Sequence, residues 1–220
     1  MTTKLRLIVM VLVLMLASLA CQAVTGPSAE DQATLPTGEV LFKDDFSNPD
    51  SGWGRVVADN GVTDYVNGAY RIFVNETNTD TWANPELTFG DVQIEVEATK
   101  NGGPDDNDFG VMCRYQNLNQ YYFFIISSDG YYGIGKVNNE QQELLGAESL
   151  QPSEIIRQGN ATNQIQADCI GDELSLTVNG EKLFSVSDAD FTSGDVGLIA
   201  GTFDEPGTDV YFDNFLVLKP

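Results

Sequence analysis

Beyond residue 38 the chain keeps apolar side chains at every second position in short bursts, a period that an extended strand satisfies and an amphipathic helix does not. Tyr70-Ile72-Val74, Val92-Ile94-Val96, Ile165-Ala167-Cys169 and Leu174-Leu176-Val178 each put their apolar members on one face. Gly, Asn and Asp separate the bursts. Asn179-Gly180, between SLTV and EKLFSV, and Asp129-Gly130, between IISS and YYGIG, favour the two-residue turns whose twist matches paired strands. The one helical candidate is a single turn near Pro152 to Arg157. Many short strands joined by tight turns predict an all-β, antiparallel two-sheet sandwich.

The first 20 residues follow different rules. Lys4 and Arg6 precede an apolar run from Leu7 to Ala20 that only Ser18 interrupts. A basic start, a run shorter than the roughly 20 residues of a membrane span and a small residue before the break describe a signal peptide. Ser18-Leu19-Ala20-Cys21 resembles the lipobox of bacterial lipoproteins, with Ser18 where leucine is usual. That resemblance implies cleavage before Cys21, lipidation of Cys21, and attachment to a membrane through the lipid alone, in the bacterial cell envelope and facing outside the cytoplasm. A soluble secreted protein with a chance cysteine is the alternative. Residues 21–38 lack periodicity, are rich in Ala, Thr, Pro, Gly and acids, and read as a flexible tether. Residues 39–220 show no further break in composition and read as one domain.

The formal net charge is −22, from 33 acidic and 11 basic residues, and loss of Lys4 and Arg6 with the leader makes the remainder more acidic still. Such a surface repels nucleic acid, so no nucleic-acid partner is expected. The acids are interleaved with apolar alternation, which describes an acidic globular domain instead of a disordered tail. Cys113 and Cys169 each fall inside a predicted strand. An exported chain with an even pair predicts a disulfide between them, with two buried free thiols as the alternative.

Five segments carry a family resemblance: LFKDDFSNPDSGW, FGVMCRYQNLNQYYFFIISSDGYYGIGK, LSLTVNGEKLF, GDVGLIAG and VYFDNFLV. Together they resemble the concanavalin A-like jelly roll over residues 40–220, and within it the lipoprotein and sensor-tail domains described as laminin-G-like or 3-keto-disaccharide-hydrolase-like. The resemblance implies a jelly-roll sandwich. It also implies one of three activities, because the superfamily holds lectins, glycanases and adhesion modules. The expected function is a non-catalytic glycan-binding domain at the cell surface. A sugar-processing hydrolase of the 3-keto-disaccharide kind and an adhesion module for a protein partner are the alternatives. Related jelly rolls hold a calcium between the first and last strands, which would place it at Asp44 or Asp45 and Asp213. No other cofactor is expected.

Histidine is absent, which excludes Ser-His-Asp and Cys-His catalysis and any imidazole metal ligand. Jelly-roll glucanases carry Glu-x-Asp-x-x-Glu on one strand. Here Glu95-Val96-Glu97 is followed by Lys100 where the third carboxylate would stand. No catalytic residue is therefore named, and Glu95 and Glu97 are expected on the wet face opposite Ile94 and Val96. Asp105-Asp106-Asn107-Asp108 is expected to be a solvated loop, and the glycosylation-type sequences at Asn75 and Asn160 to be accidental.

The aromatic run from Cys113 to Lys136 remains. A two-residue turn at Asp129-Gly130 would pair Ile125 with Ile134 and Phe123 with Lys136. One face would then carry Arg114, Tyr121, Phe123, Tyr132 and Lys136, and the other Tyr122, Phe124 and Tyr131. Burying Lys136 unpaired is costly, so its face is expected to be wet. Rings beside charged groups suit a sugar, making these five the candidate glycan-binding residues. The alternative is that residues 140–163 cover them as a second core layer. Trp53 and Trp82, near loop ends, are either rim contacts or plugs.

Overall fold

The computed structural model describes residues 38–220; the leader, Cys21 and the tether up to residue 37 lie outside the described residues. Sixteen strands and no helix make up the described chain. In order they are β1 (Val40–Asp44), β2 (Val56–Ala58), β3 (Gly61–Val66), β4 (Ala69–Val74), β5 (Thr79–Ala83) and β6 (Val92–Gly102). There follow β7 (Asn107–Asn117), β8 (Gln120–Ile126), β9 (Tyr131–Asn138), β10 (Gln141–Leu144) and β11 (Gln151–Pro152). The last five are β12 (Thr162–Ile170), β13 (Glu173–Val178), β14 (Glu181–Ser187), β15 (Asp195–Thr202) and β16 (Thr208–Leu218). The turn expected after Pro152 is not helical.

Two antiparallel sheets result. The nine-stranded sheet runs β14-β13-β12-β6-β16-β4-β3-β2, with β1 beside the end of β16; the seven-stranded sheet runs β10-β9-β8-β7-β15-β5, with β11 beside β9. This is a jelly-roll sandwich. Alternation explains the first sheet. In β6, Val92, Ile94, Val96 and Ala98 face the second sheet while Gln93, Glu95, Glu97 and Thr99 face outward, half-buried among polar neighbours. The second sheet is different, because β7 and β8 are buried on both faces. A strand covered on both sides loses its alternation and reads as a continuous apolar run, which is why YYFFII shows no period.

The main core lies between the sheets. Val111, Cys113, Tyr122 and Phe124 meet Ile94, Ala167, Cys169 and Val217 there. The Cys113–Cys169 disulfide joins β7 to β12 across that core, with Cα atoms 6.8 Å apart and a sequence separation of 56. A second cluster sits on the outer face of the seven-stranded sheet: Met112, Tyr121, Phe123, Ile125, Val137 and Ile199, with Trp82, Tyr115, Leu144 and Leu150 packed against it.

The two hairpins differ. Val178 and Glu181 close on a two-residue turn in which Asn179 and Gly180 both take positive φ, 51° and 84°. At Asp129-Gly130 the loop has three residues instead of two. Ser127 N–H donates to the Tyr131 carbonyl (2.8 Å), Gly130 N–H donates to the Ser127 carbonyl (3.1 Å), and only Gly130 takes positive φ. Asn107 extracts Ser128 from the ladder, its Oδ1 accepting from Ser128 N–H and its Nδ2 donating to Ser128 Oγ, both at 3.0 Å. The expected register is therefore wrong by one residue. Phe124 pairs with Ile134, Phe123 with Gly135 and Tyr122 with Lys136.

Candidate site on the outer face of the seven-stranded sheet

The slipped register divides the five expected ligand residues. Tyr121 and Phe123 point to the outer face, where they are 4% and 2% exposed. Tyr132 and Lys136 point to the inner side, because a one-residue shift exchanges the faces of a whole strand. Tyr132 packs on Phe184 with ring centroids 6.4 Å apart and donates its hydroxyl to the Leu183 carbonyl at 3.3 Å. Arg114 was expected outside. A bulge between Cys113 and Asn117 puts it in the left-handed region, φ 52°, and turns it inward to 1% exposure.

Arg114 and Lys136 instead fasten the segment between β14 and β15. Lys136 Nζ donates to Asp188 (2.6 Å) and Asp190 (2.7 Å), and the Tyr122 hydroxyl donates to Asp188 at 2.5 Å. Phe191 N–H donates to Tyr122 Oη (3.1 Å), while the Phe191 carbonyl accepts from Arg114 Nη1 (2.7 Å). Burial works against the Lys136 charge, yet the bonds from Asp188 and Asp190 overcome it and hold the ammonium above its ordinary pKa. Burial likewise opposes the charge on Asp188, and Lys136 and Tyr122 outweigh it, so that carboxylate sits below its usual range. Burial and the bond to Asp188 push the Tyr122 phenol up to about 12. These groups hold structure, and the one donor left without a partner, Arg114 Nε, is buried out of reach of a sugar.

The outer face keeps its aromatics. β5 and β8 are separated by β15 and β7, which sets them roughly 14 Å apart, yet the Trp82 and Tyr121 rings lie 6.3 Å apart. Both side chains therefore lean inward over a floor of small and apolar residues, Gly110, Met112, Gly197 and Ile199, which pair across β7 and β15. Tyr115 (5.7 Å) and Phe123 (6.5 Å) flank Tyr121, and Phe123 lies over the bare backbone of Gly135. Leu144 and Leu150 close one side above Gly133, so the segment after residue 140 does cover part of this face. Trp82 and Tyr115 remain half-buried at the rim. Beside Trp82 a cleft of about 180 Å³ opens between Thr81 of β5 and Val56, Val62 and Thr63 of the β2–β3 hairpin.

Two acids stand on the same face. Asp80 of β5 and Asp108 of β7 both pair with Gly201 of β15. With no side chain on Gly201, Asp108 places its oxygens 2.7 and 2.9 Å from where a Cβ would sit, and Asp80 Oδ1 converges on the same point. Burial, with the charge of Asp80 second, drives the Asp108 carboxyl well above the usual carboxylate range, and burial raises Asp80 too. Burial and the charges of Asp80, Tyr115 and Asp108 push the Tyr121 phenol up to about 12. The loop expected at Asp105–Asp108 thus splits. Asp105 pairs with Lys100, whereas Asn107 and Asp108 begin β7 and are buried. Alternation of Asp108 with Gly110 and Met112 was the signal for this, hidden by the acidic run before it.

The remaining candidates have local roles. Asp44 accepts from Phe46 N–H (2.8 Å), Ser51 Oγ (2.5 Å) and Trp53 Nε1 (2.9 Å), making Trp53 a core plug. Asp45 accepts from Ser47, and Asp213 from Asn214 N–H at 2.7 Å. Calcium takes six to eight oxygens. No group of three or more acidic or thiol ligands is arranged for a metal among the described residues.

No family model and no curated protein matches the sequence. Solved structures share the fold. The carbohydrate-binding module CBM66 from Bacillus subtilis aligns at 16% identity and TM-score 0.61, over 77% of this chain and 96% of that one. The β-glucanase of Bacillus licheniformis aligns at 12% identity and TM-score 0.59, over 84% and 100%. The catalytic domain of an endo-1,3-β-glucanase (laminarinase) from Thermotoga petrophila RKU-1 aligns at 11% identity and TM-score 0.59, over 84% and 99%. At these identities the likeness shows the jelly-roll sandwich fold and nothing finer.

Proposed function

We propose that this chain is an exported, lipid-anchored jelly-roll domain that binds a glycan in the trough on the outer face of its seven-stranded sheet. The observation carrying this reading is the half-buried Trp82 leaning over that face toward Tyr121, with a cleft at its side and two carboxyls next along it. Rings stack on the C–H faces of sugars while carboxylates accept from their hydroxyls. A fold shared with a carbohydrate-binding module and with glucanases supports it. The inter-sheet disulfide fits an oxidising compartment and hence export through the leader that ends before Cys21. Binding without hydrolysis is favoured because Asp80 and Asp108 converge on one point above Gly201. The two carboxyls of a glycosidase flank the bond they cleave, roughly 5 Å or more apart.

Trp53 is buried, so Trp82 is the tryptophan whose fluorescence a ligand at this face would change. Titration with a panel of neutral glycans should give a saturable change in emission, and Trp82→Ala should abolish binding measured by calorimetry. Equal affinity in Trp82→Ala would overturn the placement of the site; no binding across the panel would overturn the function.

A further inference from the structure

Asp108 stands apart from the other buried acids of the described residues, Asp44, Asp195 and Asp209, in having no hydrogen-bond partner, and Asp80 beside it has none either. Arg55, Arg71, Lys100, Arg114, Lys136, Lys182 and Lys219 are each paired with other carboxylates. No hydrogen-bond donor of the described residues reaches either Asp80 or Asp108, although Asp108 is only 6% exposed. Two carboxylates converging over Gly201 repel each other unless a proton or a cation lies between them. A second unpartnered group joins them. Tyr121 is only 4% exposed, its hydroxyl makes no protein hydrogen bond, and it stands close enough for both acids to disfavour its ionisation. Trp82 lies two residues from Asp80 on the same face.

This end of the trough therefore offers two carboxyls, a phenol and aromatic faces, and no basic side chain of the described residues is paired with either carboxyl. A sugar hydroxyl can donate to such carboxyls but carries no charge to offset their mutual repulsion. An ammonium group carries three donors, no acceptor and a positive charge, and it is attracted to aromatic faces. We propose that the Asp80–Asp108 pair recognises a protonated amine, so that the glycan taken by this site is an amino sugar bearing free amines. The inference rests on the glycan reading of the trough. The amine would donate to Asp80, Asp108 and Tyr121 Oη. With the cation in place both carboxylates can ionise, and the proton that the pair holds when free leaves to the buffer while the amine keeps its own.

The test compares a six-unit glucosamine oligomer with its fully N-acetylated counterpart, by calorimetry near pH 6 with EDTA present, in two buffers of different ionisation enthalpy. The free-amine oligomer should bind about tenfold more tightly, with release of up to about one proton. Asp108→Asn, which keeps the shape of the side chain, and Asp80→Asn should each bring the affinity ratio close to one and end the proton release. Equal affinities for the two oligomers, or no binding of the amine form, would overturn the inference. So would calcium alone releasing the proton and competing with the amine, which would assign the pair to a metal. A neutral glycan that binds at Trp82 with no preference for amines would leave the trough as a glycan site and sink only this assignment.

Discussion

Tyr122 and Lys136 stand directly opposite each other on β8 and β9, and both donate to the same carboxylate, Asp188. The arrangement ties the end of the seven-stranded sheet to the segment leaving β14, because Asp188 follows immediately on that strand. Phe191 is then drawn into the core against Tyr122, ring centroids 5.0 Å apart, with its backbone held by Tyr122 and Arg114. The residues that looked most suited to gripping a ligand are spent on holding two sheets together.

Removing one member of this group should therefore cost stability and leave binding alone. Lys136 and Asp188 have side chains 10% and 13% exposed, so Lys136→Ala leaves the Asp188 carboxylate buried without its cation. The expected loss is about 3 kcal/mol, read as a lower midpoint in urea denaturation. Affinity for a glycan at Trp82 should not change in the folded fraction. Unchanged stability with lost affinity would return Lys136 to the ligand site.

Gly201 offers the reciprocal test on the outer face. A methyl group there collides with Asp80 and Asp108, both of which must move. Gly201→Ala should destabilise the domain by about 1–3 kcal/mol and weaken any ligand that depends on the pair. A variant as stable as the parent, with the affinity of the parent, would show that the carboxyls do not meet over this residue.

The fold was legible because β6 and β12 are wet on one side, and they and β13 keep apolar residues at every second position. The Asn179-Gly180 turn could be read for the same local reason, and the disulfide from an even pair of cysteines in a chain read as exported. The site was only half legible. Tyr121 and Phe123 were placed on a common outer face, but their companions were chosen by counting through the Asp129-Gly130 turn. The length of that loop is set by Asn107, twenty residues earlier in the chain, and no local pattern encodes the contact. Arg114 was misplaced because a bulge breaks alternation without a glycine to mark it. Asp80 and Asp108 were missed because their partnership exists only across β15.

Reduction of the disulfide is the next measurable consequence. Cys113–Cys169 closes a loop of 56 residues and joins the two sheets through a core where both cysteines are fully buried. On the chain-entropy account such a closure contributes about 4 kcal/mol. Replacing both cysteines by serine, or unfolding in the presence of reductant, should lower stability by a comparable amount, and thiol labelling of the native protein should find neither cysteine free. Labelling at both positions before unfolding would contradict the pairing.

The acid–base behaviour should be unusual for a chain with 33 acidic residues. Burial pushes the Asp195 carboxyl up to about 6, against the opposing bonds from the backbone N–H groups of Val196, Leu87 and Glu86. Burial also raises Asp80, Asp108 and Glu95. Each of these groups binds its proton more tightly folded than unfolded, so stability falls as the pH rises from about 4 through the folded values. Asp188 and Asp64 act in the other sense. Their carboxylates are held low, Asp188 by Lys136 and Tyr122 against its burial and Asp64 by Arg55, so the stability they bring is lost as the pH drops below about 4. The melting temperature should therefore peak near pH 5 and stand about 3–6 °C above its value at pH 7.5. Asp195→Asn and Asp108→Asn should each flatten the neutral limb of that profile. A melting temperature that climbs steadily from pH 5 to pH 7.5 would mean that these carboxyls ionise freely in the folded protein.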